Sequence, residues 1–142
     1  MAVTLVDTNV LIDFRDVRSE RHDRAQEIVH GIDRGELPTG RVTNYVLLET
    51  LNWIHERQRH DLAVDTYRRL TESAGFEIHH AAQKDFRAAI ELFETYETLA
   101  FGDATLLAYM QREGIEYLYS FDADFDVVDR ITRLDTATNP YQ

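Results

Sequence analysis

Apolar residues recur along this chain in two rhythms. "VTLV" at positions 3–6 is a short unbroken run with β-branched residues, the pattern of a buried strand, and helical spacing follows at once through Val10, Leu11 and Phe14. Residues 20–34 are polar, with Ala25, Ile28, Val29 and Ile32 on one helical face. Gly35, Pro38 and Gly40 punctuate "GELPTGRVT" (35–43) and mark a turn around a short strand. From about 43 to 59, Val46, Leu47, Leu51 and Ile54 return at helical spacing, with Thr43 or Asn44 placed to cap the start. A further helix covers about 61–74. "GFEIHH" (75–80) reads as a strand, 82–99 and 102–113 as helices, and "YLYS" (117–120) and "ITRL" (131–134) as the last two strands.

Strands that alternate with helices predict an α/β fold, a three-layer α/β/α sandwich whose central sheet is mostly parallel and covered on both faces. No repeat, low-complexity tract or Pro/Gly-rich linker divides the sequence, so residues 1–142 are expected to form a single domain. That length buries a core without staples, and a chain with no cysteine has no disulfides. "AVTLVDTNVLIDF" lacks a basic leader and is broken by Asp7, Asn9 and Asp13. Neither a signal peptide nor a membrane span is expected, and the expected location is the cytoplasm.

Charge alters this picture in one respect. The formal net charge is −11, and of fifteen basic residues only Lys84 is a lysine. Such a surface suits a salt-rich, halophilic cytoplasm, where mobile ions screen charge within a few ångströms; a high-GC codon bias favouring arginine gives the same composition. Net charge of this sign opposes encounter with a polyanion in dilute salt. Under screening it does not exclude nucleic acid.

In a parallel α/β sheet the functional crevice lies beyond the carboxyl ends of the strands. Asp7 follows the first strand directly, and Asp122 lies just past the strand at 117–120. Glu49 falls in the first two turns of its helix, and Asp103 at the start of another, where the helix dipole is expected to keep it ionised. With 26 acidic residues any one match means little, and Asp103 also suits an N-cap. Asp7 between Val6 and Val10–Ile12, and Asp122 behind Tyr117–Tyr119, are unusual places for a casual surface acid. Carboxylates gathered within about 4–6 Å repel one another unless protons or cations neutralise them. Oxygen donors of this kind are the ligands of Mg²⁺ and Mn²⁺, whose common use at such sites is phosphodiester hydrolysis.

"LVDTNVLIDF" (5–14), "NYVLLETLN" (44–52), "LAFGDATLLA" (99–108) and "LYSFDADFD" (118–126) resemble, in order and spacing, the four signature blocks of PIN-domain nucleases. More narrowly, the short chain resembles VapC-type ribonuclease toxins of prokaryotic toxin–antitoxin pairs. The resemblance implies an acidic catalytic quartet of Asp7, Glu49, Asp103 and Asp122, with Asp7, Asp103 and Asp122 as metal ligands for Mg²⁺ or Mn²⁺. It further implies an RNA substrate, a homodimer and a small antitoxin partner. Ser120 stands where the family has a small hydroxyl residue, and Phe125 at the apolar position three residues after the last acid.

Neighbouring residues carry weaker expectations. Asp124 reads as an exposed turn residue, and Asp126 as a lesser candidate for a second metal or an outer contact. Thr8 and Asn9 suit a hydrogen bond to Asp7 or to phosphate, or a helix cap. Arg15, Arg18, Arg21 and Arg24 suit phosphate contacts, or equally pairing with Asp16, Glu20 and Asp23. The six histidines show no paired metal spacing, and His79 and His80 on one strand would face opposite ways. Tyr45 and Trp53 are assigned to core or dimer interface. A Mg²⁺-dependent phosphoacceptor domain also gathers acids at strand ends, but it needs a lysine after its last strand, and Lys84 lies in mid-chain. A catalytically silent PIN-like binding module remains as the alternative to an enzyme. No Walker loop, dinucleotide fingerprint or Ser–His pairing supports other chemistries.

Overall fold

In the computed structural model, which describes residues 2–142, the opening apolar run forms β1 (Val3–Val6), buried at all four positions. α1 (Thr8–Arg15) and α2 (His22–Asp33) follow, the latter burying Ala25, Ile28, Val29 and Ile32. β2 (Thr39–Thr43) leads into a helical hairpin of α3 (Asn44–Arg57) and α4 (His60–Glu72). Then come β3 (Phe76–His79), α5 (Gln83–Thr95), α6 (Phe101–Glu113) and β4 (Tyr117–Tyr119). A 3-10 turn at Ala123–Val127 precedes β5 (Thr132–Leu134).

The strands form one parallel sheet in the order β3-β2-β1-β4-β5. The α/β/α sandwich expected from the alternation of elements is therefore present. Steps from β1 to β2 and β2 to β3 run one way, and the step from β3 to β4 returns past β1. Right-handed crossovers then put α1 to α4 on one face of the sheet and α5 and α6 on the other. Side-chain alternation along β2 agrees: Gly40 faces Ile32 of α2, while Arg41 donates to the Tyr109 hydroxyl of α6 at 3.4 Å. α6 is buried on nearly all sides from Ala104 to Met110, which is why its apolar residues show no single stripe.

Local chemistry sets several ends. Thr43 caps α3 by accepting from the Val46 N–H at 3.2 Å. Asn44 instead accepts from the Ala81 N–H at 2.8 Å, tying the start of α3 to the loop after β3. Any side chain at Gly75 would meet the Ile32 carbonyl at 2.0 Å, so only glycine lets β3 start against the end of α2. β3 stops at His79, so His79 and His80 do not share a strand as expected. β4 stops at Tyr119, which leaves Ser120 as the first residue beyond it. Among the described residues no helix is long and apolar enough to cross a membrane.

Candidate active site

β1 and β4 are neighbours at the centre of the sheet, where the chain's winding reverses, and a crevice opens beyond the ends of such strands. Asp7 and Ser120 are the next residues after the last registered pair, Val6 and Tyr119. The Asp7 N–H donates to the Tyr119 carbonyl at 3.0 Å and extends the ladder by one bond. Its side chain, only 7% exposed, caps α1 by accepting from the Thr8 N–H at 2.8 Å. The other carboxylate oxygen accepts from Ser120 Oγ at 2.6 Å and Asn9 Nδ2 at 3.2 Å.

These two partners also hold the facing loop. Ser120 Oγ accepts from the Asp122 N–H at 3.0 Å, and Asn9 Oδ1 from the Phe121 N–H at 3.1 Å. Asp122 in turn caps the 3-10 turn by accepting from the Asp124 N–H at 2.9 Å. Fully buried Phe125 anchors that turn in the core. The run of alternating aspartates thus divides by role: Asp122 faces Asp7, Asp124 is exposed to water, and Asp126 forms a two-pronged pair with Arg133 at 2.9 and 3.0 Å. Arg133 is the partner that holds Asp126.

Glu49 is carried by α3 and Asp103 by α6, helices on opposite faces of the sheet. Asp103 is the third residue of α6 and accepts from the Ala100 N–H at 3.3 Å, so it closes the helix start from within and is not its N-cap. A Cβ at Gly102 would stand 2.6 Å from Glu49 Oε1, so the missing side chain leaves room for that carboxylate. Pattern alone gave no reason to single out Gly102, because the contact lies between residues 53 positions apart. Asn9 had a legible signal in its polar side chain two residues from Asp7.

The four acids act on one another. Burial pushes Asp7 above the usual carboxylate range, against the bonds from Ser120 and Thr8, and the Asp122 charge adds to the rise. Burial and then the Asp7 charge raise Glu49, although the residue as a whole is exposed. Asp103 is pushed up to about 7 by burial, by Asp7 and by Asp122. The helix start favours the ionised form of Asp103, but a dipole contribution of about 1 kcal/mol is smaller than the opposing effect of burial beside like charges.

None of the four carboxylates forms an ion pair among the described residues. The site therefore gathers hard oxygen donors without a direct ion pair, with Arg133 acting on Asp122 only at longer range, and such donors are the chemistry of Mg²⁺ or Mn²⁺. Among the described residues no group of three or more Asp, Glu or His side chains is placed so that together they could hold a metal ion. An open arrangement of this kind suits a cation that retains several waters and takes one or two carboxylates.

The arginine-rich stretch splits in two. Arg15 pairs with Asp65 and Arg18 with Asp16, whereas Arg21 pairs with Asp13 and Arg24 with Asp135. Of the expected partners only Asp16 is used. His55 and His60 meet at 3.2 Å across the turn between α3 and α4, a closeness that sequence spacing did not reveal.

A family model described as the PIN domain matches residues 4–131. No curated protein matches the chain. The fold is similar to that of VapC20 of Mycobacterium tuberculosis, a sarcin-ricin loop cleaving toxin, at 25% identity and TM-score 0.75, over 89% of this chain and 94% of that one. It is also similar to a toxin–antitoxin complex chain from Klebsiella pneumoniae at 21% identity and TM-score 0.68, covering 96% and 98%. VapBC2 of Rickettsia felis, bound to a promoter DNA fragment, aligns at 12% identity and TM-score 0.70, covering 93% and 97%.

Proposed function

The chain belongs to the PIN domain family, and from that premise we propose that it is a divalent-metal-dependent ribonuclease, the toxin of a VapBC-type toxin–antitoxin module with a small antitoxin partner. The observation that carries this reading is that Asp7, Glu49, Asp103 and Asp122, from four separate elements, repel one another with none of them in a direct ion pair among the described residues. Asp7, Asp103 and Asp122 would hold one or two Mg²⁺ or Mn²⁺ ions. When bound, such a cation activates water and stabilises charge on the leaving oxygen of a phosphodiester.

The chain's own residues do the rest. Ser120 and Asn9 hold the Asp7 carboxylate in one orientation and join it to the Asp122 loop. Glu49, exposed and held above its ordinary range, stands at the rim where it can exchange a proton with water. No side chain is required as a covalent nucleophile. The similarity to VapC20 makes sarcin-ricin loop RNA one substrate to try. Cleavage should require added Mg²⁺ or Mn²⁺, stop in excess EDTA, and leave mappable new 5′ ends after controlled expression in cells. Absence of cleavage with either metal, on structured and single-stranded RNA alike, would return the chain to the silent binding module.

We also assign it to a salt-rich cytoplasm and to a homodimer. Apolar surface for self-association is present on α3, at Leu48, and in a row on α5 formed by Phe86, Ile90 and Phe93, all exposed. α4 adds Tyr67, and α5 carries the largest number of these residues. A single KCl series tests both assignments. The thermal midpoint should climb steadily from low to molar KCl as repulsion among 26 acidic groups is screened, and the protein should sediment as a dimer throughout. A flat or falling midpoint would return the composition to codon bias. A monomer at micromolar concentration would count against the dimer.

A further inference from the structure

Four arginines lie between Arg15 and Arg24, yet the fold brings only two of them to Phe121, the residue between Ser120 and Asp122. The Arg21 guanidinium carbon lies 5.3 Å from the centre of the Phe121 ring, and that of Arg24 lies 5.1 Å from it. Phe121 is fixed to the acidic site through its own backbone, because its N–H donates to Asn9, and Asn9 donates to Asp7. Two guanidiniums are thereby stacked on a residue that is part of the site's hydrogen-bond lattice.

Each guanidinium is anchored by a fraction of its donors. Arg21 uses Nε on Asp13 at 3.0 Å, and Arg24 uses Nη1 on the Asp135 carbonyl at 3.3 Å. A guanidinium has five N–H donors in a planar fork, so both retain free donors in fixed orientations. Their side chains are 45% and 43% exposed, open to a ligand, whereas Asp13 is 10% exposed and turned inward. Arg15 by contrast is 12% exposed and committed to Asp65, and Arg18, 89% exposed, stacks on nothing in the site.

A phosphodiester that enters a cluster of carboxylates meets repulsion, and it needs cationic donors immediately beside the cluster. The geometry points to Arg21 and Arg24, stacked on Phe121, as a phosphate-binding pair that grips the RNA backbone next to the scissile bond. This inference rests on the ribonuclease reading and adds to it the route by which substrate lies across the site. Asp13, Asp126 and Asp135 balance Arg21, Arg24 and Arg133 in this region, so the pair works through short directed hydrogen bonds more than through long-range attraction. Contacts of that kind survive screening ions better than a diffuse basic surface does.

The test measures binding of a labelled single-stranded RNA of mixed sequence by fluorescence anisotropy across a KCl series with Mg²⁺. The full chain carries Asp7→Asn so that the RNA stays intact. Arg24→Gln should weaken binding roughly tenfold or more, and reduce the slope of log affinity against log salt by roughly 0.7, the loss of one phosphate contact on a single strand. Arg21→Lys keeps a cation for Asp13 and so protects the fold; it should weaken binding with little change in slope, because the fork is lost and the charge retained. Phe121→Leu should also weaken binding, and Arg18→Gln should not. A parent that binds RNA while Arg24→Gln and Arg21→Lys match it in affinity and slope overturns this inference alone. If the parent fails to bind RNA and the chain with Asp7 intact fails to cleave it, the ribonuclease reading falls and the inference with it.

Discussion

Asp7→Asn lowers the single-turnover rate of RNA cleavage by roughly a thousandfold or more, and Asp103→Asn does the same; this is the expected result of removing a hard anionic oxygen from a site that stabilises several kcal/mol of transition-state charge. The fold should survive both changes. Asn at position 7 can still accept from the Thr8 N–H and cap α1, and Asn at position 103 can still accept from the Ala100 N–H. Asp126→Asn serves as the contrast, because that carboxylate is held by Arg133 and its loss should leave the rate little changed. Initial rates with Mg²⁺ and Mn²⁺, alongside melting curves, decide the matter. Undiminished cleavage by either Asn variant, or full activity of the unsubstituted protein in excess EDTA, would remove the carboxylate site from the mechanism.

Without metal, the protein should lose stability as pH rises from about 4 to about 8. Asp7, Glu49 and Asp103 all sit above their ordinary values in the folded chain, Asp103 at about 7 against 3.8. A carboxyl group raised by folding binds its proton more tightly when folded. Its contribution is complete below the unfolded value and disappears as pH climbs through the folded one. For Asp103 the window is therefore about 3.8 to 7, and the effect is on the order of 2 kcal/mol after allowance for solvent screening. Asp103→Asn should flatten the profile and raise the midpoint at pH 8 by several degrees. Mg²⁺ or Mn²⁺ binds the deprotonated acids, so either ion should raise the midpoint more at pH 8 than at pH 5. Melting curves at both pH values, with and without metal, would refute this by showing a metal-free midpoint that rises with pH.

Much of the architecture was legible because it rests on local periodicity. The run at 3–6 read as a strand and is one buried at all four positions, and the Ala25–Ile32 stripe read as the covered side of a helix and is one. The order of strands and helices then implied a parallel sheet, and the end-of-strand rule drew attention to Asp7 and Asp122 without any structure. Less legible was everything that depends on separation in the chain. The arginines from 15 to 24 suited phosphate contacts or pairing with Asp16, Glu20 and Asp23, yet Asp65 lies 50 residues from Arg15 and Asp135 lies 111 from Arg24.

By itself the sequence determined which residues are acidic, which elements carry them and on which end of the sheet two of them must fall, because strand and helix periods are properties of consecutive residues. Only the tertiary structure decided that β1 and β4 lie side by side, that Ser120 and Asn9 lock Asp7, and that Gly102 leaves room for Glu49. It also set burial and like charges against the helix dipole at Asp103, whose carboxyl is pushed up to about 7. A helix dipole is a local quantity that sequence reveals, whereas burial and repulsion from Asp7, Asp122 and Glu49 exist only once distant segments are packed around one crevice.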